Sequence, residues 1–172
     1  MKLVLVRHAR AQERASGQRD RDRRLTSHGR RRMRAAAKGL EILLPGITLI
    51  TASPLLRAKE TARILAGQYG IGDVAVLPAL APGNSPRNFL AWLRQQPPDA
   101  AVGAVGHEPD LGVLAGWLLA KRLESFTPFG KGAACLIEFA GNPAPGTGVL
   151  GWLMTSAALG AIGRCGRGAH RS

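Results

Sequence analysis

Short apolar runs alternate along this chain with amphipathic or polar stretches, and the period of each run sets the element it predicts. Lys2 to Val6 is apolar without polar alternation after Lys2, the form of a strand covered on both faces, so it is placed centrally in a sheet. Ile47 to Ala52, the short Val74 to Leu77 and the small-residue run Ala100 to Val105 predict further strands. Lys131 to Phe139 and Gly148 to Met154, joined by the Pro/Gly-rich Gly141 to Gly146, predict a hairpin or edge pair, here taken as antiparallel. Between them, helical patterns cover Ser27 to Leu44, Pro54 to Tyr69, Arg87 to Gln95 and Asp110 to Lys121.

Punctuation supports these bounds. Thr26 or Ser27 suits the cap of the first helix, which ends at Pro45-Gly46. Pro54 suits a first helical position with Ser53 as cap, and Pro97-Pro98 closes the third helix. Arg10 to Arg24 is polar, contains Gly17 and mixed Arg/Asp, and reads as a loop at a functional site. Strand and helix signals in alternation predict a three-layer α/β/α fold with a mostly parallel central sheet.

Composition narrows the class. A chain of 172 residues with 45% hydrophobic content suits one domain, taken as 1–163. The Gly/Arg-rich segment 164–172 has little to bury and is expected to be a flexible tail. No internal repeat is found. The N-terminal apolar run is cut by Arg7, too early for a signal peptide, and no run nears the ~20 apolar residues of a bilayer span. A cytoplasmic protein without membrane partners is expected. Cys135 and Cys165 form neither a CxxC pair nor a zinc-binding spacing, so no disulfide, metal or cofactor is expected.

The net charge of +13 resides mostly in Arg and clusters between Arg7 and Arg34. It reads either as a solvated face or as a field that steers phosphorylated substrates. Trp92, Trp117 and Trp152 sit among Leu, Ala and Val and read as packing residues, not a base-stacking platform, so nucleic acid is not an expected partner. His28 and His170 are read as exposed bystanders.

Three apolar runs end on residues suited to phosphoryl chemistry: Leu3 to Val6 on Arg7-His8, Ile47 to Ile50 near Ser53 and Arg57, and Ala100 to Gly106 on His107. In a parallel α/β sheet the ligand crevice lies outside the carboxyl ends of the strands, so these side chains can share one pocket. Arginine forks bind phosphate oxygens bidentately and remain charged. A neutral imidazole can attack phosphorus and form a reactive phosphohistidine.

The blocks Leu-Val-Leu-Val-Arg7-His8-Ala9, Asp20 to Gly29, Ser53 to Ala62 and Gly106-His107-Glu108-Pro109-Asp110-Leu111 resemble, in this order, the histidine phosphatase superfamily of phosphoglycerate mutase-like fold, and within it the small phosphohistidine phosphatase branch. The resemblance covers about Met1 to Met154. It implies His8 as nucleophile, Arg7 and Arg57 as binders of the phosphoryl oxygens, and His107 as a donor completing the pocket. Asp20, Asp22 and Arg23 match a loop motif of this branch and are implied as substrate-binding residues, with Arg23 a further phosphate contact. Ser53 is implied as a cap or supporting hydrogen bond within reach of the phosphate.

Two departures bear on substrate. Ala9 replaces the Gly that usually follows Arg-His. Larger members place a carboxylic general acid after the third strand, where this chain reads Pro78-Ala79-Leu80-Ala81-Pro82-Gly83-Asn84. A labile P–N bond needs little help from such an acid, which favours protein phosphohistidine as substrate, carried for instance on a histidine-phosphotransfer domain. The alternative is a phosphomonoesterase of small metabolites with Glu108 as acid, although Glu108 also suits the cap of the following helix. A third reading is a non-catalytic polyanion binder on the Arg7 to Arg34 face.

Overall fold

The computed structural model describes residues 1–125 and 127–166. Its elements run β1 (Lys2–Arg7), α1 (Ser27–Leu43), β2 (Leu49–Ala52), α2 (Leu56–Tyr69), β3 (Ala75–Val76), α3 (Pro86–Leu93), β4 (Ala101–Gly106), α4 (Asp110–Ala120), β5 (Ala134–Glu138), β6 (Val149–Met154) and α5 (Ser156–Cys165). One six-stranded sheet has the order β3-β2-β4-β1-β5-β6. The first four of these strands are mutually parallel, and β5 and β6 complete the sheet antiparallel.

Burial on both sheet faces explains the unbroken apolar character of β1. Val4 and Val6 join the core beneath α1, α2 and α5, while Leu3 and Leu5 join the core beneath α3 and α4. All four are fully buried. Successive side chains of a strand point to opposite faces, so a strand between two helical layers has no position left for a polar residue.

The topology gathers chain segments at one sheet edge. Arg7 is in register with Gly106, and Ala52 with Val105, so β1, β2 and β4 end side by side. Antiparallel β5 begins where β1 ends, with Ala134 opposite Val6, which delivers the preceding Lys131 to Ala133 segment to the same edge.

Two expectations need correction. Helix α2 starts at Leu56, not Pro54, and its N-cap Leu55 has no side-chain cap. Ser53 Oγ instead accepts the Leu55 N–H at 3.3 Å in a tight local turn. Helix α5 was absent from the sequence reading. Thr155 caps it through the Ala158 N–H, and it packs along α1 at close range. A Cβ on Gly39 would lie 1.8 Å from the Leu159 carbonyl oxygen, so glycine is required there for the two backbones to approach. Arg164 and Cys165, the start of the expected tail, belong to this helix. Residues 167–172 of that segment lie outside the described residues.

Candidate active site

His8 sits immediately beyond β1 with its ring 3% exposed. Its Nδ1 lies 2.8 Å from the Ala9 carbonyl oxygen, which can only accept, so Nδ1 carries the proton and Nε2 keeps its lone pair. Arg57 Nε donates to that Nε2 at 3.3 Å. The backbone holding His8 is fixed on two sides. Its N–H donates to the Gly106 carbonyl at 3.1 Å, and the next N–H, of Ala9, donates to Thr61 Oγ1 at 3.1 Å. Ala9 has no positive φ, so the Cβ in place of glycine is accommodated without backbone strain.

Arg7 donates through Nη1 to the Phe129 carbonyl, while its buried Nε has no partner among the described residues. Arg57, 5% exposed, reaches from the first turn of α2 to the loop of residues 10–24. Its Nη1 donates to the Asp20 carbonyl oxygen at 2.8 Å and its Nη2 to Asp20 Oδ2 at 2.9 Å. The other Asp20 oxygen lies 2.9 Å from Arg23 Nε, a second ion pair on the same carboxylate. Partial burial raises the Asp20 pKa, but Arg57 and Arg23 outweigh it and hold the carboxyl below its ordinary value. An anion arriving at Arg57 therefore competes with Asp20 for the same fork. Asp22 points away from this cluster and pairs with the exposed Arg19.

His107, 3% exposed, lies with its ring centroid 5.0 Å from that of His8. Its Nε2 is 2.8 Å from Ser53 Oγ, and its buried Nδ1 has no partner among the described residues. Glu108 is held by backbone N–H groups, one of them in the helix it was expected to cap. Its Oε1 accepts the Phe129 N–H at 3.1 Å, and the carbonyl of that same residue holds Arg7. The carboxylate also lies against the Gly112 amide in the first turn of α4, so it shares in capping that helix. Burial raises its pKa, and the bond to Phe129 opposes that rise.

The structure thus brings Arg7, His8, Asp20, Arg23, Ser53, Arg57 and His107 together, and sets Asp22 apart. Three further residues had been overlooked. Thr61 and Glu60 follow Arg57 on one helix face. Thr61 Oγ1 donates to the Arg57 carbonyl at 2.7 Å while accepting from Ala9, and Glu60 binds the Leu25 N–H at 2.7 Å and Arg30 at 2.8 Å. Their signal was the spacing of three and four residues from Arg57. Lys131 precedes β5, and its charge acts on both His8 and His107. Nothing local in its sequence marks it, since the antiparallel entry of β5 alone brings it there. Among the described residues no three His, Cys, Asp or Glu side chains form a metal-ligand set. No described helix is long and apolar enough to cross a membrane.

Burial is the main force on both imidazoles. It lowers His8 to about 3, aided by Lys131, His107 and Arg57 against the bond to the Ala9 carbonyl. It lowers His107 to about 4, aided by Arg57, Lys131 and Arg7 against Asp20. Both rings are neutral at pH 7. Below the ordinary value of 6.5 the unfolded chain binds protons that the folded chain refuses, so stability falls as pH drops through that range. Each histidine is expected to remove about 2 kcal/mol of unfolding free energy between pH 6.5 and 5, above the range where carboxylates titrate. Urea midpoints across this window test it: His8→Asn should roughly halve the slope, and an unchanged slope would refute the assignment.

A buried neutral imidazole whose unprotonated nitrogen accepts only from a guanidinium that an anion can draw away, at the ends of parallel strands, is an arrangement for binding and attacking an oxyanion centre. Residues 3–81 match the family model of the histidine phosphatase superfamily, branch 1. An uncharacterized protein of Picosynechococcus sp. is 43% identical over 114 residues, covering 65% of this chain and 69% of that protein. The solved structure of the protein histidine phosphatase SixA complexed with tungstate superposes with a TM-score of 0.81 at 26% identity, covering 92% of this chain and 99% of that one. The native mycobacterial glucosyl-3-phosphoglycerate phosphatase shares the fold, with a TM-score of 0.67 at 21% identity over 87% of this chain and 96% of that one. Matched in sequence from β1 through β3, and in architecture along nearly its whole length, the chain belongs to the histidine phosphatase superfamily.

Proposed function

We propose that this protein is a cofactor-free phosphatase that hydrolyses protein phosphohistidine, working in the cytoplasm on a phosphorylated partner such as a histidine-phosphotransfer domain. The observation that carries this reading is the buried, neutral His8, whose Nε2 keeps its lone pair beside the Arg57 guanidinium. In the first step Arg57 Nε gives up its hydrogen bond to Nε2 as the guanidinium turns to the phosphoryl oxygens, Nε2 attacks phosphorus, the P–N bond to the substrate imidazole breaks, and that imidazole departs with a proton from water. In the second, water attacks the phosphoryl group on His8, the new P–N bond breaks, and inorganic phosphate leaves as His8 returns to its neutral form.

Arg57 exchanges Asp20 for phosphoryl oxygens, and the partnerless Arg7 Nε supplies another donor. His107 offers a further ring nitrogen, held in place by Ser53. Arg23 lies near enough to follow Asp20 or bind an oxygen itself. The similarity to SixA complexed with tungstate, a tetrahedral oxyanion, supports the same pocket for a phosphoryl group here.

The carboxylates near the pocket bear on the leaving group. Asp20 is held ionised between two arginines, and the Pro78 to Asn84 segment carries no carboxyl group. An imidazole leaving a P–N bond can take its proton from water, whereas an alkoxide normally requires a positioned acid worth roughly 10²–10⁴ in rate. Glu108, with its raised pKa, is the group a metabolite phosphatase would use. The two readings separate in one panel. Turnover of a phosphohistidine protein should exceed that of sugar and nucleotide phosphates by about 100-fold in kcat/KM, and Glu108→Gln, which keeps an acceptor for Phe129, should change it only about threefold. Faster, Glu108-dependent turnover of a monoester would replace this reading with the metabolite one.

A further inference from the structure

Beside the His8 pocket lies a second cavity of about 480 Å³ that the chemistry above does not use. Arg10, His28, Arg32 and Lys131 stand on its walls over Met33, with Ser156 at one side. No carboxylate lines it. Arg10, Arg32 and Lys131 form no ion pair among the described residues. The first turns of α1 and α5 border the same space.

The cavity is continuous with the catalytic machinery through two chain segments. Ala9, adjacent to His8, lines it, as does Gly130, adjacent to the Phe129 carbonyl that holds Arg7. Lys131 belongs to both places, since it lines the cavity while its charge acts on His8 and His107. A substrate group entering here would therefore be part of the molecule whose phosphoryl group sits at His8.

We propose that this cavity is an anion-selective subsite that receives an acidic side chain of the phosphoprotein substrate, close to its phosphohistidine. The inference rests on the phosphohistidine reading and adds to it a recognition rule. Three cations around one space, with no ion pair among the described residues and only a 3.4 Å bond from Arg32 Nη2 to Ser156 Oγ between them, repel each other, and a carboxylate relieves that repulsion. A Glu or Asp side chain also brings an aliphatic stem, which the buried Ala9 and Met33 floor would cover, whereas a bare phosphate would leave that floor wet. The volume fits a side chain with its adjoining backbone, and far exceeds what a single phosphoryl oxygen cluster needs.

The test uses phosphohistidine peptides that are identical except for Glu, Gln or Lys near the phosphorylated residue, with phosphoramidate as a small substrate that cannot reach the cavity. The wild-type protein should favour the Glu peptide over the Gln peptide by about tenfold in kcat/KM, mainly through KM, and disfavour Lys. The double variant Arg10→Gln/Arg32→Gln, whose side chains are exposed and outside the catalytic cluster, should lose the preference while turning over phosphoramidate at the wild-type rate. Equal kcat/KM for Glu and Gln peptides, or an equal loss on every substrate including phosphoramidate, would overturn the subsite. Binding of the unphosphorylated Glu and Gln peptides, measured directly, separates the two layers of argument. Arginine-dependent preference for Glu with no phosphohistidine turnover would sustain the subsite and defeat the functional reading. A preference confined to carboxylated or bisphosphorylated metabolites would defeat the protein source of the acid.

Discussion

His8→Ala is expected to leave no measurable phosphohistidine turnover, a loss of about 10⁴-fold or more, because it removes the atom to which the phosphoryl group is transferred. The same substitution should abolish a chemical signature. Wild-type protein quenched during turnover should carry phosphate that is labile in acid and stable in alkali, as a phosphoramidate bond is, and the variant should carry none. Loss of folding is separable from loss of chemistry: removing a buried imidazole removes its protonation penalty below pH 6.5, so the variant should lose less stability than the wild type as pH falls from 6.5 to 5, whatever the truncation costs at pH 7. Phosphate recovered on another residue, or activity surviving in the variant, would sink the covalent mechanism.

The parts of the fold legible in the sequence were those whose burial leaves a periodic trace. Strand β1 was read as central because Leu3 to Val6 has no polar position, and the structure covers both its faces. The β5-β6 pair was betrayed by its Pro/Gly-rich connection, and its antiparallel register agrees with the expectation. Helix α5 left no such trace. Gly160 and Gly163 disfavour helix in isolation, and at Gly163 α1 approaches too closely for a Cβ, which would meet the Ala35 carbonyl oxygen at 2.7 Å. Tertiary packing decided that element, and only a partner helix reveals the reason.

The site divides along the same line. Arg7, His8 and His107 stand at the ends of apolar runs, so strand topology alone predicts their meeting. Asp20 was expected as a substrate contact, yet it binds the Arg57 fork, a relation that requires the loop of residues 10–24 to fold back over α2. Ser53 was expected as a cap or a supporting hydrogen bond, and it takes the second role, bonding His107 while closing a local turn. Lys131 was invisible because its contribution depends on sheet direction: with β5 antiparallel, the residues before the strand, not after it, face the ligand edge. Local sequence reports the residues that end strands, and misses those delivered by a reversal.

Arg57→Lys should lower kcat/KM for phosphohistidine by roughly 10²–10³ although the positive charge is kept. Arg57 uses three nitrogens at once: Nε directed at His8 Nε2, and Nη1 and Nη2 held by Asp20 until an anion displaces them. A planar fork can release the nucleophile's lone pair and still present paired donors to the phosphoryl oxygens beside it, whereas an ammonium offers a single point of charge on a flexible stem. Lysine would also leave the Asp20 turn with fewer donors, so the loop over the pocket should loosen and inhibition by inorganic phosphate should weaken in step with the rate. The His8 phosphoryl adduct should still form, slowly, because the nucleophile remains neutral and in place. A Lys variant within threefold of wild type would mean that charge alone suffices and that the bidentate geometry contributes little; loss of the adduct with intact folding would instead make Arg57 part of the attack itself.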